Sequence, residues 1–245
     1  MPIASNFSSV LEQEFEINFL QCYPNGALKY TELCNLLQIT AGLHADLGGI
    51  SFSDMQKHHQ AWVLSRMLLE ITELPKWRDK IVVKTWINSF ENSRSIRCLE
   101  VYHNHKKIIG CETLWVVFNT KTRKPDILQL PHEHFEKIAL QATENTVYKI
   151  DTQNTGHSVA FQKVMLSDLD IVNHMNNVKY LEWCLNYEDS KTLFSNAIKS
   201  IAINFIRELN LGDQTEIFKH QSQNSTTYSI VHNAKHCYTL DLKYM

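Results

Sequence analysis

The chain carries one structural plan twice, and this repeat constrains the fold more than any other feature. Residues 29–47 hold Leu33, Leu36, Leu37, Thr40, Ala41 and His44 at the i, i+3, i+4, i+7 spacing of a helix with one buried face. Strand-like runs follow at 62–72, 80–90, 95–104 and 106–119, rich in Val, Ile, Trp and Phe and parted by short polar turns. HNHKK between the last two reads as a hairpin turn, and links this short impose antiparallel pairing. The plan then recurs. Residues 158–167 read as a strand, 177–194 as a helix with Tyr180, Trp183, Cys184 and Tyr187 on one face, and 200–209, 214–222, 226–233 and 235–244 as strands. Between the blocks, 130–157 is polar and poorly periodic, a linker with room for one short helix.

The halves also match in detail. ALKYTELCN (27–35) parallels NVKYLEWCLN (177–186), each opening a helix with a Lys-Tyr pair. ITELPKWRDKIVVKTW (71–86) parallels IRELNLGDQTEIFKH (206–220), each with a Glu before a turn and an acidic residue after it. The expected fold is therefore α+β, a duplicated unit of one long helix against an antiparallel sheet, divided into residues 1–147 and 148–245.

Composition narrows the function by exclusion. Apolar residues make up 44% and charged residues 20% of the 245, the balance of an ordinary globular chain. A net charge of −2 gives no case for a nucleic-acid or membrane-surface partner, and no apolar run approaches membrane-spanning length. The opening MPIASNFSSVLEQEFEI lacks the plan of a signal peptide and the Arg-rich composition of a transit peptide, so a cytoplasmic location is expected. The 6 cysteines are scattered with no CxxC pair and read as reduced core fillers. His58–His59 and His103/His105 lack the Cys or carboxylate frame of a metal site, so neither metal nor cofactor is expected. There is no GxGxxG, no GxxxxGK[ST] and no GxSxG, which leaves no phosphate loop and no nucleophile elbow.

The chemistry-bearing residues crowd into DIVNHMNNVKY (170–180). Asp170 suits an Asx turn, and Asn176 or Asn177 suits a helix N-cap. Aligning Lys29-Tyr30 on Lys179-Tyr180 sets Asp170 against Leu20 and His174 against Pro24. One polar copy beside one blank copy points to a single active site in a duplicated scaffold.

SDLDIVNHMNNVKYLEW (167–183) resembles the D-L-D-x-N-x-H-x-N-N-x-x-Y-x-x-W stretch of the acyl-acyl-carrier-protein thioesterases. The helix at 29–47, WVLSRM (62–67), the Pro75/Trp77/Asp79 set, Thr85-Trp86 and ETLWVVFNTKTRKP (112–125) resemble that family in the same order, from about residue 14 to 220. The resemblance implies a double hotdog, two tandem units each made of a long helix wrapped by an antiparallel sheet. It implies catalytic roles for Asp170, His174 and Glu208, with Glu208 on the strand that follows the second helix. Asn173, Asn176, Asn177 and Trp62 are the substrate-binding candidates. The family's Asn two residues after the Asp falls on Val172, and a position often occupied by Cys falls on Leu209.

The activity so implied is hydrolysis of acyl-[acyl-carrier-protein] to free fatty acid and holo-carrier protein in fatty acid biosynthesis. The implied partner is an acidic acyl carrier protein with its phosphopantetheine-linked acyl chain. Lys163, Lys179, Lys121, Arg123 and Lys124 are candidates to receive it, and Leu33, Leu37, Trp62, Met67 and Trp86 are types suited to an apolar acyl slot. Monomer and homodimer both stay open.

Such chemistry needs a base for water and donors for the oxyanion. Asp170 and Glu208 are both candidates for the base, with His174 orienting, and the start of the 177–194 helix is a candidate donor array. A covalent anhydride on Asp170 is an alternative. Two rival readings remain: an acyl-CoA thioesterase, and a double hotdog that binds an acyl chain without turnover, which Val172 and Leu209 favour.

Overall fold

A computed structural model of the chain describes residues 3–153 and 156–244. It divides into two compact units, one formed by Met1–Ser65 with Thr72–Val147 and the other by Arg66–Ile71 with Tyr148–Met245.

Unit 1 comprises β1 (Val10–Glu16), α1 (Tyr30–Leu47), α2 (Phe52–Gln56), the first half of β2 (Gln60–Ile71), β3 (Lys80–Glu91), β4 (Arg94–His103), β5 (Lys106–Asn119) and the short β6 (Lys124–Pro125). The strands pair in the order β1-β3-β4-β5-β2, with β6 on the end of β5. The pairings β1–β3, β3–β4, β4–β5 and β5–β6 are antiparallel. Asn104 and His105 both take positive φ (49° and 62°), the mirror-image turn whose twist suits adjacent strands, so HNHKK is the hairpin its sequence predicts. α1 buries Leu33, Leu36, Leu37, Thr40, Ala41 and His44, the stripe that the 3.6-residue period selects. Each large aliphatic side chain so buried contributes about 1.5–3 kcal/mol.

At the far end of α1 the core becomes polar. His44 Nε2 bonds Ser8 O at 2.9 Å, and Arg97 Nη1 lies 2.7 Å from His44 Nδ1 and 3.2 Å from Thr85 Oγ1. Because the guanidinium can only donate, Nδ1 is the acceptor and the imidazole is neutral, with its proton on Nε2. Burial, reinforced by the Arg97 charge, lowers the His44 pKa to about 3. Phe135 closes this end, its ring lying where a side chain at Gly48 would have to sit.

Unit 2 comprises the second half of β2, β7 (His157–Lys163), α3 (Asn177–Leu185), α4 (Ser190–Phe194), β8 (Ile198–Phe205), β9 (Gln214–Gln221), β10 (Ser225–His232) and β11 (Lys235–Tyr244). Residues 66–70 of β2 pair antiparallel with β8, and the order continues β8-β11-β10-β9-β7. The segment entering this unit is held by Asn204. Its Oδ1 accepts from Ile150 N at 2.9 Å and its Nδ2 donates to Tyr148 O at 3.0 Å.

Several expectations need correction. The helix expected over 177–194 is two helices. α3 stops at Leu185 with Asn186 as its C-cap, and the Asp189 side chain caps α4 by accepting from Lys191 N, so the chain between them is not a helix interior. Tyr187 falls in that break and is 39% exposed instead of joining Tyr180, Trp183 and Cys184 in the core. The strand expected over 158–167 ends at Lys163 and gives way to a 3₁₀ turn at Leu166–Asp168, where Asp168 Oδ2 accepts from Met165 N. The strand expected over 200–209 ends at Phe205, because Ile206 and Arg207 both donate to Cys237 O and the chain leaves the ladder there. Glu208 therefore lies beyond the strand, not on it. Residues 130–153 hold no helix, and Phe135 and Ala142 within them are core residues of unit 1.

Candidate active site

The DIVNHMNNVKY stretch forms a tight five-residue turn into α3. Asp170 N donates to His174 O at 2.8 Å, and Asn173 N donates to Asp170 O at 3.1 Å. The Asp170 carboxylate organises the turn from inside, its Oδ1 accepting from Val172 N at 3.0 Å and His174 N at 3.1 Å. Asn173 takes a positive φ of 65°, a conformation that Asn tolerates better than most residues. Asn176 then caps α3, its Oδ1 accepting from Val178 N at 2.9 Å.

Unit 1 contains the same turn, and its hydrogen bonds identify the equivalent residues. Tyr23 N donates to Ala27 O and Gly26 N to Tyr23 O, both at 2.8 Å, and Gly26 has the matching positive φ of 82°. The isolated bridges Cys22↔Leu28 and Leu169↔Met175 correspond, as do Ala27↔Lys76 and His174↔Asn210. Asp170 is thus the equivalent of Tyr23 and His174 of Ala27. The alignment on the Lys-Tyr pairs, which set them against Leu20 and Pro24, is three residues out of register. Lys29 precedes the first turn of α1 whereas Lys179 lies within α3, so the pairs coincide in sequence and not in place. The polar groups remain confined to one half under the corrected register.

The strand-end segment 208–213 packs its backbone on this turn. Met175 N donates to Leu209 O at 2.8 Å; its counterpart is Leu28 N to Pro75 O, also at 2.8 Å. Glu208 is therefore the equivalent of Leu74. Asp213 Oδ2 accepts from Asn210 N at 2.9 Å, and Asp79 Oδ2 accepts from Lys76 N at 2.7 Å, so the acidic residue that follows each turn fixes the loop in both units.

The packing brings Glu208 to His174, with Oε2 3.6 Å from Nε2 and side chains 33% and 30% exposed. A carboxylate and an imidazole this close, partly open to solvent, can take a proton from water and orient it. Leu209 is fully buried, and no thiol stands at its position.

The remaining sequence candidates divide sharply. Asn173 is an exposed turn residue and Asn176 a helix cap, while Asn177 is the first residue of α3. Val172 is exposed at the tip of the turn, and its backbone N–H donates to Asp170 Oδ1. Trp62 belongs to unit 1, where its Nε1 donates to Ile50 O at 3.3 Å and its ring lies 5.6 Å from Phe90. Leu33, Leu37, Met67 and Trp86 are buried core residues. Lys179 is engaged with Glu182, at 3.0 Å and 3.1 Å to its two oxygens.

The helix start is a poorer donor array than its position suggests. Val178 N is taken by the Asn176 side chain, Lys179 N by Asn176 O, Met175 N by Leu209 O and Asn176 N by Asp168 O. Sequence reading missed Tyr180 as a site residue. Its hydroxyl accepts from Leu209 N at 3.1 Å, and burial raises its pKa, with smaller upward contributions from Cys237, Glu208 and Asp170. A tyrosine on the face of α3 that holds His174's turn was the available signal.

Residues 8–138 match the model of the acyl-ACP thioesterase N-terminal domain, and residues 150–239 match that of the C-terminal domain. The chain is 26% identical over 214 residues to a chloroplastic palmitoyl-acyl carrier protein thioesterase of Cuphea hookeriana, a match covering 81% of this chain and 52% of that protein. The chain thus spans about half the length of the curated relatives it matches. In fold it is similar to an acyl-ACP thioesterase from Bacteroides thetaiotaomicron (TM-score 0.89, 24% identity, 97% of this chain and 98% of the other). It is likewise similar to the 12:0-ACP thioesterase of Umbellularia californica (TM-score 0.81, 19% identity, 97% and 98%). The fold is that of these solved structures, a double hotdog. The two domain models together account for most of the chain, in order and without overlap, and the chain belongs to the acyl-ACP thioesterase family.

Proposed function

We propose that the chain hydrolyses acyl thioesters of an acyl carrier protein, releasing free fatty acid and the carrier's thiol in fatty acid biosynthesis. The observation that carries this reading is the Glu208–His174 pair at 3.6 Å, present only in the half whose turn holds Asp170. Glu208 takes a proton from water as the water oxygen attacks the thioester carbonyl carbon. The C–S bond then breaks, and the departing sulfur takes up a proton. His174 orients the water or the carbonyl. Asp170 holds the turn through Oδ1, while its Oδ2 makes no hydrogen bond to the described residues. Glu208 is preferred as the base because its carboxylate faces His174, whereas half of the Asp170 carboxylate is committed to backbone amides.

Among the described residues, no helix is long and apolar enough to cross a membrane. A cytoplasmic site of action is part of the proposal, tested by recovering the chain from the soluble fraction of producing cells. Acyl-carrier-protein and acyl-CoA thioesters of the same chain lengths, assayed side by side, test the activity. Faster hydrolysis of the carrier-protein series supports the reading, and preference for CoA shifts the substrate. Binding of an acyl chain without hydrolysis of either series replaces the enzyme with an acyl-binding module, a reading that the apolar Val172 favours.

A further inference from the structure

We infer that Tyr180 is a positioning residue that sets Glu208 against His174, an inference that rests on reading those two as the reacting groups. Tyr180 lies in α3, six residues after His174, and its hydroxyl accepts the backbone N–H of Leu209, the residue after Glu208, at 3.1 Å. One side chain thus ties the helix that begins behind His174 to the backbone that carries Glu208. Its ring is only 3% exposed, stacked on Tyr238 at 5.2 Å and edge-on to Phe205 at 6.1 Å, so the hydroxyl cannot swing away.

The duplicated fold supplies an internal control. In unit 1 the residue equivalent to Leu209 is Pro75, which has no N–H to donate, and the residue equivalent to Tyr180 is Leu33, which has no oxygen to accept. Donor and acceptor are lost together in the half that lacks Glu208 and His174. The backbone bond that joins turn and strand end is the same in both units, Met175 N to Leu209 O and Leu28 N to Pro75 O, so the Tyr180 tie is an addition made only in unit 2.

Tyr180→Phe removes the oxygen and leaves the ring packing in place. On the acyl-carrier-protein thioester that the parent hydrolyses fastest, kcat falls by about tenfold to a hundredfold, the range expected when a reacting group is misplaced. KM stays within about twofold, because uniform binding is untouched. Amide exchange at Leu209 accelerates in the same variant, a readout that needs no activity. Tyr228→Phe is the control for general destabilisation: it loses a buried hydroxyl bonded to Glu188 Oε2 at 2.8 Å, and its turnover stays at the parent level. Parent-like kcat in Tyr180→Phe alongside a dead Glu208→Gln overturns the positioning role. Parent-like kcat in Glu208→Gln overturns the underlying site instead. Equal losses in Tyr180→Phe and Tyr228→Phe, with Leu209 exchange unchanged, also overturn it.

Discussion

His174 Nε2 and Glu208 Oε2 stand 3.6 Å apart, and neither residue has a counterpart that could do the same in unit 1, where Ala27 and Leu74 occupy the equivalent positions. Glu208→Gln and His174→Ala are each expected to lower kcat by at least about tenfold, the low end for losing acid–base help. The double variant should fall little further than the worse single one, because groups that act as a unit are not additive. Steady-state kinetics on the three variants check this, and multiplied losses would show that the residues act separately.

Asp170 offers a cleaner separation of charge from geometry. Asn at this position keeps an oxygen able to accept from Val172 N and His174 N, so Asp170→Asn retains the turn. Its melting temperature should stay within a few degrees of the parent, while turnover falls by at least about tenfold through loss of the carboxylate. Calorimetry and kinetics on one sample decide the matter; unchanged turnover would reduce Asp170 to a turn residue.

Asn173 is expected to matter for its backbone and not for its side chain. Asn173→Gly should leave kcat, KM and stability unchanged within about 0.5 kcal/mol, as its φ of 65° suits glycine. Asn173→Val should lose about 1–2 kcal/mol at that φ. Urea titration of both variants tests the turn role, and a large KM rise in Asn173→Gly would restore the side chain as a substrate contact.

The His44–Arg97 contact makes stability depend on pH in a defined direction. His44 is held neutral in the folded chain by burial and by Arg97, its pKa lowered from 6.5 to about 3. As pH falls below 6.5 the unfolded chain takes up a proton that the folded chain refuses. Stability is therefore complete above that pH and is lost as pH falls toward 3, by at most about 1.4 kcal/mol per pH unit from this group. His44→Gln, which can still accept from Arg97, should lose less stability than the parent between pH 7 and pH 5, as read by denaturant midpoints. Equal losses would show that the imidazole is not the titrating group.

Much of this was legible in the primary structure because apolar periodicity reports burial directly. The stripe from Leu33 to His44 fixes α1 to within a residue of its observed start, and the β-branched runs fix most strands. The break after Leu185 was obscured because Asp189 and Ser190 are tolerated in a helix and only their caps end it. The end of β8 was illegible because it depends on Cys237 O accepting from two successive amides, those of Ile206 and Arg207, which are distant from it in sequence. The same holds for the register of the repeat. Side-chain identity at Lys-Tyr misled, whereas the bonds of the five-residue turn, which no residue type specifies alone, gave the correspondence. Asp170 and His174 were visible as a pair, but the partner of Leu209 N–H was not, since a tyrosine on an apolar helix face reads as core.

Unit 2 takes residues 66–71 from the first half of the gene product and uses them as the edge partner of β8. A polypeptide severed after Val147 would therefore yield a C-terminal fragment holding every proposed catalytic group but a bare edge at β8, prone to capture any extended segment in reach.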